Sequence, residues 1–107
     1  MIKVVVSKHN GAYRSLHAYG HAGYAEYGKD IVCSAVSILI VNTANGLESF
    51  TNDLILSEIH EDGTTEILLK EDISSEGTLL MDTLMLGLND IKEQYGNNFL
   101  RIEYKEV

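Results

Sequence analysis

The chain has a single cysteine, Cys33, in 107 residues. One cysteine excludes an intramolecular disulfide and points to a reducing compartment. Basic residues are few as well: eight Lys and Arg stand against sixteen Asp and Glu, a formal charge of −8. Nucleic-acid binders normally carry a basic surplus that neutralises phosphates, so direct nucleic-acid binding is not expected. An acidic surface attracts basic partners, ribosomal proteins among them, or simply keeps the chain soluble. Residues 1–7 hold one lysine and a very short apolar run. They read as a strand and not as a signal peptide. The densest apolar run, residues 31–41, is too short to span a bilayer and is interrupted by Cys33, Ser34 and Ser37. A cytoplasmic protein without membrane contact is the expectation. The chain lacks a Gly-Lys-Ser/Thr phosphate loop, a dinucleotide fingerprint and any familiar zinc spacing. A metal set of His17, His21 and Cys33 would lack a second cysteine, so no metal and no cofactor is expected.

What is present reads as one domain over residues 1–107. The apolar fraction of 45% and charged fraction of 22% are ordinary for a globular chain able to bury its own core. Residues 2–8 alternate as a strand. Asn10-Gly11 accepts positive φ at both centres of a tight hairpin, and residues 12–20 return as the second strand. On that strand Tyr13, Ser15, His17 and Tyr19 share one face, and Ala12, Leu16 and Ala18 share the core side. Asp30 is a good N-cap for a helix from Ile31 to about Phe50, deeply buried at its start, with Leu47 and Phe50 prolonging its apolar stripe past Asn45-Gly46. Residues 54–60 and 64–70 form a hairpin through Asp62-Gly63, with Ile55, Ile59, Ile67 and Leu69 as its buried face. Ser74 or Ser75 caps a second helix whose stripe is Leu80, Leu84, Leu88, Ile91 and Tyr95. Gly87 inside it permits a close approach, and Gly96 suits its C-terminal cap. Residues 99–105 close the chain as a strand. The order ββαββαβ implies an α+β fold with a mostly antiparallel sheet and two helices.

Chemistry gathers in residues 20–39. With Asp30 as cap, Cys33 lies in the first turn of its helix, where the dipole favours a thiolate. An imidazole from His21 could take the thiol proton and later protonate a leaving amine. Amides at Cys33 and Ser34 could receive an oxyanion. Gly20 precedes the histidine, and Gly23 and Gly28 punctuate the loop between it and the cysteine, so residues 23–29 could close over a substrate. Tyr24 and Tyr27 could line a groove for it. Each feature also has a plainer reading. A lone cysteine in an apolar helix is more often core than nucleophile. Ser37, one turn beyond Cys33, either hydrogen-bonds near the thiol or bonds its own helix. His9, His17 and His60 read as surface residues.

The run Gly20-His21-Ala22-Gly23, followed by Gly28-Lys29-Asp30-Ile31-Val32-Cys33-Ser34-Ala35-Val36-Ser37, resembles the ribosomal-processing cysteine protease family, Prp. The likeness extends over the whole chain in length and element order. It implies a His21–Cys33 dyad, with Asp30 and Ser37 as supporting motif residues and no cofactor. It also implies a homodimer. The implied substrate is the large-subunit ribosomal protein numbered twenty-seven, which loses a short N-terminal extension. A rival reading, from charge and size, is a non-catalytic acidic module that binds a basic ribosomal protein or an assembly intermediate. A thiol acyltransferase using the same dyad is a third.

Overall fold

The Asn10-Gly11 turn sets the first pairing. Both residues take positive φ, +49° and +84°, the backbone that a two-residue turn between right-twisted strands requires. In the computed structural model, which describes residues 1–20, 29–60, 64–96 and 98–107, the turn joins β1 (Ile2–His9) to β2 (Ala12–Tyr19). Then follow α1 (Lys29–Phe50), β3 (Ile55–Ile59), β4 (Thr65–Leu69), α2 (Ser75–Tyr95) and β5 (Leu100–Glu106). The sheet order is β3-β4-β2-β1-β5. Every pairing is antiparallel except β1 with β5, which is parallel. The expected ββαββαβ α+β fold is therefore the observed one. The Asp62-Gly63 turn lies outside the described residues.

One face of the sheet carries the core. Val4, Val6, Leu16, Ile67 and Leu100 join Val32, Ile40 and Leu47 of α1 and Met81, Leu84 and Leu88 of α2 in one buried cluster. The other face carries Lys3, His17, Glu66 and Glu103, none of them buried. Simple alternation misassigned Tyr13. A register shift at Ser7/Lys8 turns Tyr13 onto the core side, where its hydroxyl donates to Asp82 Oδ1 of α2 at 2.5 Å. A β-bulge of this kind inverts the two-residue period for everything beyond it.

Three further expectations fail for one reason: sheet and helices cover less of each element than periodicity suggests. Ile59 at the end of edge strand β3 is 68% exposed, and Phe50 at the end of α1 is 80% exposed. The start of α1 is not buried on all sides, since Ile31 and Ile38 face outward. The helical segment Ile31–Phe50 is also longer than the run read from sequence. Its 20 residues are long and apolar enough to cross a membrane, by length and composition only. A stripe of Val32, Val36, Ile40, Ala44 and Leu47 packs into the core, so α1 is a layer of the fold.

The close approach expected at Gly87 is present. A Cβ there would sit 2.9 Å from Leu39 Cδ1 of α1.

Candidate active site

α1 opens at Lys29, ahead of the expected start. Asp30 therefore falls inside the first turn and is not the N-cap. Cys33 becomes the fifth residue of the helix. In an α-helix each N–H bonds the carbonyl four residues back. The amides of Cys33 and Ser34 are thereby committed to Lys29 and Asp30, and neither is free for an oxyanion. The unpaired amides precede Val32, and the dipole acts most strongly on that first turn.

The Cys33 side chain is half-buried. It packs against the core on one side and lines a cleft of about 170 Å³ on the other. The remaining lining is Ile2, Ala18, Gly20, Val36, Ser37 and Thr65. This wall is made by the ends of β1 and β2, one edge of β4 and two turns of α1. Gly20 is required where it stands. Its φ is +80°, and a Cβ on it would strike the Met1 carbonyl oxygen. The chain leaves β2 there beside the thiol, one residue before His21.

Of the residues singled out from sequence, the structure brings Gly20, Cys33 and Ser37 to this cleft. Ser34 is exposed and does not line it. His21, Gly23, Tyr24, Tyr27, Gly28 and the Asp30 side chain lie outside the described residues, as does the glycine-bounded loop. His17 does not belong here. It sits on the opposite face of the sheet, with Nδ1 3.1 Å from Glu66 Oε2. That removes it from any metal set with Cys33.

Thr65 is the residue that sequence reading missed. It is buried and lines both the Cys33 cleft and a second cavity of about 240 Å³ between α1 and the β3–β4 hairpin. The two-residue period that selected Ile67 and Leu69 also selects Thr65, but its polarity disguised an inward position. Ser37 likewise belongs to the cleft and to a shallower depression of about 360 Å³ with Ile38, Val41, Asn42 and Asn45. Shared walls join the three hollows into one trough along α1, past the thiol.

Among the described residues, no side chain lining the cleft other than Cys33 is titratable. The pocket thus presents one nucleophile in a largely apolar wall. The proton acceptor that nucleophilic catalysis needs must come from elsewhere.

A family model described as cysteine protease Prp matches residues 1–100. A ribosomal processing cysteine protease Prp of Staphylococcus aureus (strain Mu50) is 32% identical over 89 residues, covering 80% of this chain and 81% of that protein. Two crystal structures of an essential ribosomal processing protease Prp from S. aureus superpose closely. One, in complex with a substrate peptide, has a TM-score of 0.90 at 27% identity, covering 98% of this chain and all of the other. The second, with a covalently linked product peptide, has a TM-score of 0.86 at 28% identity with the same coverage.

Proposed function

The chain belongs to the Prp family and is a cysteine protease, and from that premise we propose that Cys33 is its nucleophile and His21 its general base and acid. One observation carries the assignment: Gly20 and Cys33 line the same cleft, and His21 is the next residue after Gly20. Consecutive Cα atoms are about 3.8 Å apart, which supports pairing the residue after Gly20 with the thiol. The cleft wall supplies no other base among its described residues.

His21 takes the Cys33 proton, and Sγ attacks the scissile carbonyl carbon. The tetrahedral intermediate collapses as the imidazolium gives its proton to the leaving amine, which leaves a thioester on Cys33. Water, deprotonated by the same imidazole, then releases the acid and restores the thiol. Ser37, one helical turn from Cys33 and on the same wall, orients the thiol or the substrate backbone. Asp30 is a supporting residue at the helix start. Gly23, Tyr24, Tyr27 and Gly28 form the substrate loop. The trough along α1 suits an extended peptide, as an endopeptidase needs.

The substrate we propose is the N-terminal extension of the large-subunit ribosomal protein numbered twenty-seven, processed in the cytoplasm. The crystallised relative that holds a substrate peptide supports a peptide in this cleft, and the charge of −8 favours a basic protein. We also propose a homodimer. Leu79 and Leu86, exposed two turns apart on α2, offer an apolar surface for it.

The test is mass spectrometry of that ribosomal protein after incubation with the wild-type chain, Cys33→Ala and His21→Ala. Wild type should leave one shortened product. Cys33→Ala should leave none, and His21→Ala should be slower by about 10²–10⁴-fold. Full cleavage by folded Cys33→Ala would sink the assignment. Salt-sensitive binding without any product from wild type would favour the acidic binding module instead.

A further inference from the structure

The open face of the sheet, away from Cys33, holds an arrangement that protease chemistry does not use. The strand register sets Glu58 directly opposite Glu66, and Glu66 directly opposite His17. Two carboxylates facing each other across paired strands repel and destabilise the pair. His60 enters from the hairpin end, where its backbone N–H donates to the Thr64 carbonyl at 2.8 Å. Its Nε2 stands 3.4 Å from Glu66 Oε1 and 3.5 Å from Glu58 Oε2. Donor atoms from all three residues lie within 4.8 Å of one another.

Those separations are informative. Strong N–H···O bonds between charged groups run about 2.7–2.9 Å, so two contacts of this length are poor hydrogen bonds. They are close to the edge of a coordination tetrahedron. With bonds of about 2.0–2.1 Å to nitrogen and oxygen, neighbouring ligands sit roughly 3.3–3.4 Å apart. His17 Nδ1 stands closer to the other carboxylate oxygen, Glu66 Oε2, at 3.1 Å, an ion pair when the imidazole is protonated. Glu66 therefore turns one oxygen toward His60 and Glu58 and the other toward His17. A ligating carboxylate with a polar partner behind it is a common construction of a metal centre. The ligand set comes from strands β3 and β4 and the residue that follows β3, backed by β2.

We propose that Glu58, His60 and Glu66 form a binding site for a zinc-class divalent cation, with His17 as the positioning residue for Glu66. One imidazole with two carboxylates suits Zn²⁺, Co²⁺ or Mn²⁺ better than Ca²⁺ or Mg²⁺, which favour oxygen alone. The fourth position is open to water. No metal was expected from the sequence, which has no second cysteine and no familiar zinc spacing; Glu58, His60 and Glu66 meet only once the strand register aligns them. The bound ion offsets the repulsion between Glu58 and Glu66 and ties edge strand β3 to β4. Glu58 and Glu66 also line the cavity of about 240 Å³ in the trough, so the ion's first consequence is stability of the hairpin that walls the trough.

The test is titration of the full chain with Co²⁺, read by visible absorption, in wild type and in Cys33→Ala. The cysteine variant removes the one thiol that could compete. The expected result is one Co²⁺ per chain with d–d bands that persist in Cys33→Ala. Thermal unfolding should rise by about 5 °C at saturating Zn²⁺. Affinity should fall at least about tenfold in His60→Gln and in Glu66→Gln, and about tenfold in His17→Ala. All these positions are on the surface or at its edge, and the Gln variants preserve side-chain shape. Absence of binding at millimolar Co²⁺, binding unchanged in both His60→Gln and Glu66→Gln, or bands lost in Cys33→Ala would each overturn the proposal.

Discussion

The two helices are nearly equal in length, 22 and 21 residues, yet they are built for different work. α2 is anchored at both ends. Ser74 Oγ accepts from the Gly77 N–H at 3.0 Å, while the Ser74 N–H and hydroxyl donate to the two oxygens of Asp53 at 2.9 and 2.8 Å. At the far end the Gly96 N–H closes on Lys92 O with φ +91°, a conformation that needs glycine. α1 has no basic residue in its last turn. Its Ser37, Ile38, Val41, Asn42 and Asn45 wall depressions instead of packing against a neighbour. One helix spends its surface on attachment, and the other leaves a face open beside its cysteine. Stability should therefore be sensitive along α2, and peptide turnover along the open face of α1.

Leu88→Ala should produce the largest separation. Leu88 is fully buried, and such truncations cost about 2–5 kcal/mol. Urea unfolding should register that loss, while turnover per folded molecule stays unchanged. Ser37→Ala should do the reverse, lowering kcat/KM about tenfold, or about 1.4 kcal/mol of barrier, with the urea midpoint preserved. If Ser37→Ala unfolded the chain without slowing the folded fraction, the division between the helices would be lost.

The capping network should respond more modestly and with a defined pH sign. Ser74→Ala should cost about 1 kcal/mol. Burial raises the Asp53 carboxyl pKa, but the Ser74 N–H, the Ser74 hydroxyl and Thr51 together outweigh it and hold Asp53 below the usual range. A depressed folded pKa adds stability above the unfolded value, near 3.9, and loses it as pH falls through the folded one. Acid titration of the urea midpoint should thus decline less steeply in Asp53→Asn than in wild type.

The smallest effects should differ in sign. A Cβ on Gly46 of α1 would make only ordinary contact, 3.7 Å from Leu80 Cδ1. Gly46→Ala should stabilise by about 0.5–1 kcal/mol through helix propensity. Gly87→Ala on α2 meets Leu39 Cδ1 at 2.9 Å and should show no such gain. Equal shifts in thermal midpoint would mean that Leu39 yields freely and the helix contact is loose.

Much of this was legible because short-range rules governed it. Asn10-Gly11, Ser74 and Gly96 do what their backbone preferences require. The motif around Cys33 identified a family from residue types and spacing. Tyr13 was misread because a bulge breaks alternation without a marker that pattern reading can use. Asp30 was misread as a cap because an acceptable capping side chain does not oblige a helix to start there. Thr65 escaped because a polar residue on an inward strand face looks, in one dimension, like a surface residue.

By itself the sequence determined the element order, the principal turn, the α2 cap and the residues able to do thiol chemistry, since all of these depend on neighbours a few positions apart. Only the tertiary structure decided that Gly20, Cys33, Ser37 and Thr65 share one hollow, that His17 faces away from it, and that Glu58, His60 and Glu66 converge. Those outcomes depend on strand register and layer packing, which unite residues tens of positions apart and leave no local period to read.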